Sequence, residues 1–191
     1  MAPGRTRAGT PHACLGGMSC LTPTLLRPQP LSASAFAPFG AVLEGFGTPP
    51  AQARPINDHS CWRLDLPLDL RFEQAGGQAG LAIYSAEARR FPLPVDVLER
   101  HTLASQTFIP LEGARFVVVV ARPNALPGPD DVQAFISNGR QGVLLHPGTW
   151  HHALLAVDAG SFVVLERHPP AGAAIDCELA TLAETLQLSL G

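Results

Sequence analysis

The sequence contains no lysine: all 13 basic residues among its 191 are arginine. That absence excludes a Schiff-base lysine, a phosphate-loop lysine and a lysine general base. Every permanent cation is therefore a planar guanidinium, a shape that grips a carboxylate through two parallel hydrogen bonds. The chain also lacks any CxxC pair. Its four cysteines, Cys14, Cys20, Cys61 and Cys177, are scattered, so neither a zinc knuckle nor a disulfide framework is indicated, and a reducing, cytoplasmic setting is expected. No apolar run reaches the ~18 residues that a membrane span needs. GxSxG, HExxH and a complete GxGxxG are missing, which removes the commonest hydrolase, zincin and dinucleotide signatures. Positive charge is not in excess either. A formal charge of −3 leaves no electrostatic footprint for nucleic acid or a membrane surface. The expected partner is a small molecule.

What is present is apolar and punctuated. Hydrophobic residues make up 46% of the chain, ample for one core, and the length predicts one domain with a tail. Residues 1–30 carry no acidic residue and are rich in Gly, Pro, Ala, Ser and Thr. They are expected to be a disordered extension, or the result of an early start with Met18 as the working initiator. Arg5 and Arg7 hint at a targeting segment, but no apolar stretch accompanies them. The domain is expected over 31–191. Ser32 or Ser34 caps a short helix through Phe36 that ends before Pro38. Short apolar strands are expected around 61–66, 80–87, 95–101, 105–111, 115–122, 142–146, 150–157 and 161–167, separated by Pro/Gly turns such as "ARPNALPGPDD" and "SNGRQG". Two segments read as helical: "DDVQAFIS", with Asp130 at its cap, and the C-terminal "IDCELATLAETLQL", whose leucines recur at helical spacing. Many short strands with little helix predict an all-β sandwich or barrel.

Two segments concentrate the chemistry: "ERHTLASQTFIPLEGARFVVVV" at 99–120, and "HPGTWHH" at 146–152. Glu99 and His101 are two apart, so on a strand they share a face while Arg100 points away. Gln106 follows, then an apolar strand, a Glu112-Gly113 turn, and the run "RFVVVVA", which reads as a strand buried on both faces. Of the adjacent pair His151 and His152, strand alternation lets only one face the same cavity as His101. His152 is read as structural or interfacial, and His146 as a turn residue or an orienting partner. His12 and His59 fall in the tail and a loop, and Trp150 belongs to the core.

This arrangement resembles the two motifs of the cupin superfamily. The first has the form HxH, four residues, Glu, six residues, Gly, and here reads Glu99-x-His101, four residues, Gln106, six residues, Gly113. The second has the form PxGxxH and here reads His146-Pro147-Gly148-Thr149-Trp150-His151, so the match is in spacing. Two ligand identities change, Glu for the first His and Gln for the Glu. Together with "FVVLERH", "FAPFGAVLE", "IND" at 56–58 before Arg63, and "DCE" at 176–178, these segments are similar to the ureidoglycolate lyase family, also called ureidoglycolate hydrolase, over about residues 31–180. The chain departs from that family at His59, where Gly is usual, and across 168–175, where a Gly/Asn-rich stretch is usual.

The resemblance implies a cupin-type jelly-roll barrel with a few short helices, including a C-terminal one, and a homodimer. It implies a lyase that cleaves ureidoglycolate to glyoxylate and urea in allantoin and purine-nitrogen catabolism. His101, His151 and Glu99 are the expected catalytic residues, since a histidine and a carboxylate around one cavity supply the two proton transfers of the elimination. A divalent metal, nickel on the family resemblance, would take His101, Gln106, His151 and Glu99 as ligands and polarise the hydroxyl. Arg63, Arg167 and Gln106 are the expected substrate-binding residues. Two other classes compete: another metal-dependent cupin enzyme acting on a small carboxylic acid, and a non-catalytic cupin that binds a small ligand.

Overall fold

The computed structural model describes residues 23–123 and 125–191. His12, Met18 and most of the expected N-terminal extension lie outside the described residues. In chain order the strands are β1 (Thr24–Leu26), β2 (Gln29–Pro30), β3 (Gly40–Leu43), β4 (Arg54–Ile56), β5 (Cys61–Arg63), β6 (Gln78–Ala86), β7 (Leu93–Arg100) and β8 (Gln106–Pro110). They continue as β9 (Phe116–Ala121), β10 (Gln133–Ile136), β11 (Gly142–Leu145), β12 (Trp150–His151), β13 (Leu155–Ala156), β14 (Gly160–His168) and β15 (Glu178–Leu188). The helices among the described residues are single turns, α1 (Ala33–Phe36), α2 (Phe72–Ala75) and a 3-10 turn at Pro129–Asp131. Ser32 caps α1, its hydroxyl accepting from the Ala35 N–H at 3.4 Å.

The strands form the two sheets of an all-β jelly-roll barrel. One runs β1-β15-β7-β12-β9-β10-β2, with β13 also on β9, and the other runs β3-β11-β8-β14-β6. A hairpin of β4 and β5 stands apart as a two-stranded sheet. Pairing is antiparallel except at the two outermost strands of the larger sheet, where β1 lies parallel to β15 and β2 parallel to β10.

Strand β9 shows why the barrel holds together. Phe116, Val118 and Val120 point inward to a cluster with Phe36, Phe135, Phe162 and Val164. Val117, Val119 and Ala121 point the other way, to a second cluster with Val95, Leu98, Trp150, Leu182, Leu186 and Leu188. The run expected to be buried on both faces therefore is. Each fully buried Val or Phe contributes about 1.5–3 kcal/mol of transfer free energy, so this strand ties two cores to one backbone.

Two expectations are corrected. The C-terminal segment is strand β15, not a helix. Leu179, Leu182 and Leu186 satisfy a helical period, but the buried residues are Ala180 and Leu182, then Leu186 and Leu188. That is a two-residue alternation broken by a register shift between Thr181 and Leu186 against β7, and the bulge disguises the period. In "DDVQAFIS" only the 3-10 turn is helical. Asp131, not Asp130, accepts from the Gly128 N–H at 2.9 Å, and Gln133–Ile136 pair with β9, where Phe135 fills the inner core. Before residue 31, Thr24–Leu26 and Gln29–Pro30 pair into the larger sheet. β1 and β2 cover the two edges of the larger sheet, and Pro28 and Pro30 sit there because an edge strand loses nothing to a missing N–H.

Candidate functional site

The site is built where the ends of β7, β8, β12 and β14 meet. His151 on β12 stands directly across from Glu99 on β7, and directly opposed residues of an antiparallel pair hold their side chains in contact. His101 follows β7 by one residue. Ligand atoms of Glu99, His101 and His151 all lie within 4.8 Å of one another, and the two imidazole rings are 5.2 Å apart between centroids. The turn before β12 fixes this geometry. Thr149 N–H donates to His146 at 3.1 Å, with Pro147 and Gly148 (φ 82°) in the central positions of a type II pattern that needs a left-handed residue second. Gly148 N–H in turn donates to the His101 carbonyl at 2.7 Å.

Both imidazoles are locked in one tautomer by carbonyls. His151 Nδ1 is 2.9 Å from the Thr149 carbonyl, and His101 Nδ1 contacts the Asp176 carbonyl. A carbonyl only accepts, so each Nδ1 carries the proton and each Nε2 presents a lone pair. The Asp176 carboxylate pins the loop behind His101, accepting from Leu103 N–H at 2.6 Å and from Thr102 N–H and Oγ1 at 3.1 Å. Gln106, buried on β8, donates from Nε2 to Glu166 at 2.8 Å, and its Oε1 is buried.

Among the described residues four side-chain atoms are buried without a hydrogen-bond partner, Thr107 Oγ1 and three site acceptors: His101 Nε2, His151 Nε2 and Gln106 Oε1. His151 Nε2 also faces Glu99 Oε1 at 3.6 Å. Burial drives the His151 pKa down to about 4, with His101 and His152 pushing the same way against the hydrogen bond to Thr149. The imidazole is therefore neutral near pH 7, and the 3.6 Å contact sets lone pair against carboxylate rather than ion against ion. Glu99, His101 and His151 fit a divalent cation, with two imidazole nitrogens and a carboxylate oxygen as donors.

The depressed pKa has a measurable consequence. The unfolded chain takes up this proton near pH 6.5 and the folded one only near 4. Between those values the unfolded state holds more protons, so stability falls as pH falls through that window. The loss from this residue is about 3 kcal/mol at 1.36 kcal/mol per unit. Denaturant unfolding of metal-free protein at pH 7 and pH 4.5 should show it, and His151→Gln should flatten the difference. Equal pH slopes in both proteins would mean that the ring is solvated.

Beside the triad lies a cavity of about 150 Å³, lined by His101, Ser105, Gln106, Glu166, His168 and Asp176 among others. The structure brings Glu99, His101, His151 and Gln106 to this region. It does not bring Arg63, which sits exposed on the β4–β5 hairpin, paired with Asp65 at 2.6 Å and lining a different groove with Trp62 and Phe46. Arg167 borders the cavity, and its guanidinium donates to the Ala75 and Gly76 carbonyls at 2.6 and 2.9 Å. Arg100 faces away as expected, pairing with Glu178 at 2.6 Å and lying 4.4 Å over the Trp150 ring. Trp150 is buried in the core, His146 and His59 are exposed, and His152 turns to its neighbour's carbonyl, 2.8 Å from Ala153.

Glu166, His168 and Asp176 escaped the sequence reading. A signal existed for two of them. On β14 the buried residues are Phe162 and Val164, and the same two-residue alternation continues to Glu166 and His168 at the mouth.

Comparison with known proteins matches the profile of the family described as ureidoglycolate lyase to residues 23–189. A protein named ureidoglycolate lyase from Azotobacter vinelandii is 40% identical over 167 residues, covering 87% of this chain and 97% of its own. One from Pseudomonas aeruginosa is 40% identical over 166 residues, covering 86% and 95%. One from Stutzerimonas stutzeri is 41% identical over 163 residues, covering 85% and 92%.

Proposed function

The chain belongs to the ureidoglycolate lyase family, and we propose that it cleaves ureidoglycolate to glyoxylate and urea. The observation that carries this reading is the set of buried, unpartnered acceptors facing Glu99. The reaction must move the carbinol hydroxyl proton off oxygen, open the C–N bond with its electron pair going to nitrogen, and deliver a proton to the departing ureido nitrogen. Glu99 takes the hydroxyl proton at a carboxylate oxygen and returns it to that nitrogen. His101 and His151 present Nε2, and Gln106 presents Oε1, each fixed by the hydrogen bond at its other end. These three and Glu99 would hold a divalent ion, nickel in this reading, which when bound supplies Lewis acidity that lowers the pKa of the hydroxyl. Arg167 borders the cavity, and its guanidinium would meet the substrate carboxylate on releasing the Ala75 and Gly76 carbonyls. Purified protein should release glyoxylate and urea in equal amounts from ureidoglycolate, aerobically and anaerobically alike. No glyoxylate, or a dependence on dioxygen, would sink the reading.

We also propose a homodimer in the cytoplasm, where the exposed thiols Cys61 and Cys177 stay reduced. The His152–Leu155 segment offers no apolar patch, because Leu155 is buried and Leu154 packs on the inner core. Leu81 (68%) and Ile83 (63%) are among the exposed apolar side chains, and they share β6, an outermost strand of its sheet. A long apolar edge strand invites pairing, and a second copy is the self-complementary occupant. Light scattering at micromolar concentration should give twice the chain mass, and Leu81→Asp with Ile83→Asp should halve it. A monomeric wild type would refute this.

A further inference from the structure

We infer that Glu166, held between Gln106 and His168, is the acceptor that recognises the ureido end of the substrate; the inference rests on the lyase reading and names a part of the site that reading leaves open. Ureidoglycolate has two chemically different ends. A carboxylate and hydroxyl stand at one, and at the other a ureido group offers N–H donors from two nitrogens on the same edge. A carboxylate is the natural complement of two parallel N–H bonds.

Glu166 has that chemistry and that place. It lines the cavity with its side chain only 23% exposed, on the strand face that carries Phe162 and Val164 into the core. One carboxylate oxygen accepts from Gln106 Nε2 at 2.8 Å. The other lies 3.8 Å from His168 Nε2, so the carboxylate plane is held from both ends while each oxygen keeps a lone pair for a ligand. His168 is itself seated. Its ring lies across Gly80 of the neighbouring strand, where a Cβ would stand 2.2 Å from Nε2. Only a glycine at 80 leaves room for that ring.

The geometry divides the site. Glu99, His101 and His151 surround the carbinol. Glu166 and His168 stand at the other side of Gln106, whose amide donates to Glu166 and whose oxygen is buried without a partner. Replacing Glu166 by Gln changes one acceptor into a donor. Gln106 still donates toward position 166 and claims the remaining oxygen there. The new NH₂ then meets the ureido N–H groups head on.

The test uses two ligands that cannot be cleaved because they lack the hydroxyl. N-carbamoylglycine carries the ureido group, and N-acetylglycine replaces its terminal NH₂ with a methyl. Binding of each to the metal-loaded full chain is measured by calorimetry, alongside glyoxylate release from ureidoglycolate. Wild type should prefer N-carbamoylglycine by about tenfold or more, the discrimination expected when a site built to hydrogen-bond a group meets its apolar replacement. Glu166→Gln should reduce that preference to about twofold and leave N-acetylglycine affinity nearly unchanged. A merely structural role would weaken both ligands together. If Glu166→Gln does not fold, Glu166→Asp serves, withdrawing the same carboxylate by one methylene and lowering the same ratio. A preference that survives substitution, or no preference in wild type, overturns the inference while glyoxylate release still upholds the lyase reading. A lost preference without glyoxylate release in wild type upholds the ureido subsite and overturns the activity.

Discussion

His151→Ala should lower turnover of ureidoglycolate by a hundredfold or more, while His152→Ala leaves turnover per folded molecule within a few-fold. The two residues are adjacent, yet the backbone sends them to different tasks. His151 is 2% exposed, opposed to Glu99 across the sheet, with Nδ1 tied to Thr149 and Nε2 turned to the site. Removing it deletes one converging donor and leaves Glu99 facing empty space. A hundredfold is about 2.7 kcal/mol of transition-state stabilisation, within the range for a positioned acid–base or metal-ligating group. His152 hydrogen-bonds its neighbour's carbonyl, and its backbone N–H, which the substitution keeps, donates to Val119 at 3.0 Å. Both variants are compared at equal folded concentration, with bound metal measured in each. A larger loss from His152→Ala would mean that the strand register at the site is off by one.

That register was readable before any coordinates because β structure has a period of two. Glu99 and His101, with Arg100 turned away, and His151 against His152 follow from alternation alone. The burial of both faces of "RFVVVVA" follows from its unbroken apolar run. The same rule fails where a bulge intervenes. In β15 the irregularity between Thr181 and Leu186 restores a three-to-four residue spacing to the leucines, which then imitate a helix. Pairing is a second blind spot. Arg63 lies on a strand as expected, but no local pattern tells that Cys61–Arg63 pairs with Arg54–Ile56 in a separate hairpin rather than beside the motif strands. His168 and Asp176 were hidden for a third reason. His168 falls where the chain departs from its family's Gly/Asn-rich pattern, and Asp176, in the matching "DCE" segment, comes under His101 only in the folded chain, from 75 residues away.

Chelation should lower turnover by at least a hundredfold, and a divalent ion added back should restore it in wild type but not in His101→Ala. A nitrogen from each of His101 and His151 and a Glu99 carboxylate oxygen lie within 4.8 Å of one another, and the buried acceptors His101 Nε2, His151 Nε2 and Gln106 Oε1 have no hydrogen-bond partner among the described residues. Leaving a buried acceptor unpaired costs roughly 1–3 kcal/mol, so three of them together favour a cation strongly. The supporting contacts predict a graded response. Asp176→Asn keeps the carbonyl that holds His101 Nδ1 but weakens the three bonds that pin Thr102 and Leu103. Losses of an outer partner of this kind typically cost ten- to a hundredfold in metal affinity. Bound metal, measured by elemental analysis after dialysis against graded chelator, should therefore fall in the order wild type, Asp176→Asn, His101→Ala. Nickel, zinc and manganese added separately to stripped wild type then report which ion the donor set selects, since two nitrogens and two oxygens favour the borderline ions over the hardest. Full activity in protein shown by elemental analysis to be metal-free would overturn this assignment. The same two imidazoles and Glu99 would then act directly as proton carriers, and the depressed pKa of His151 would appear as the acid limb of the rate profile.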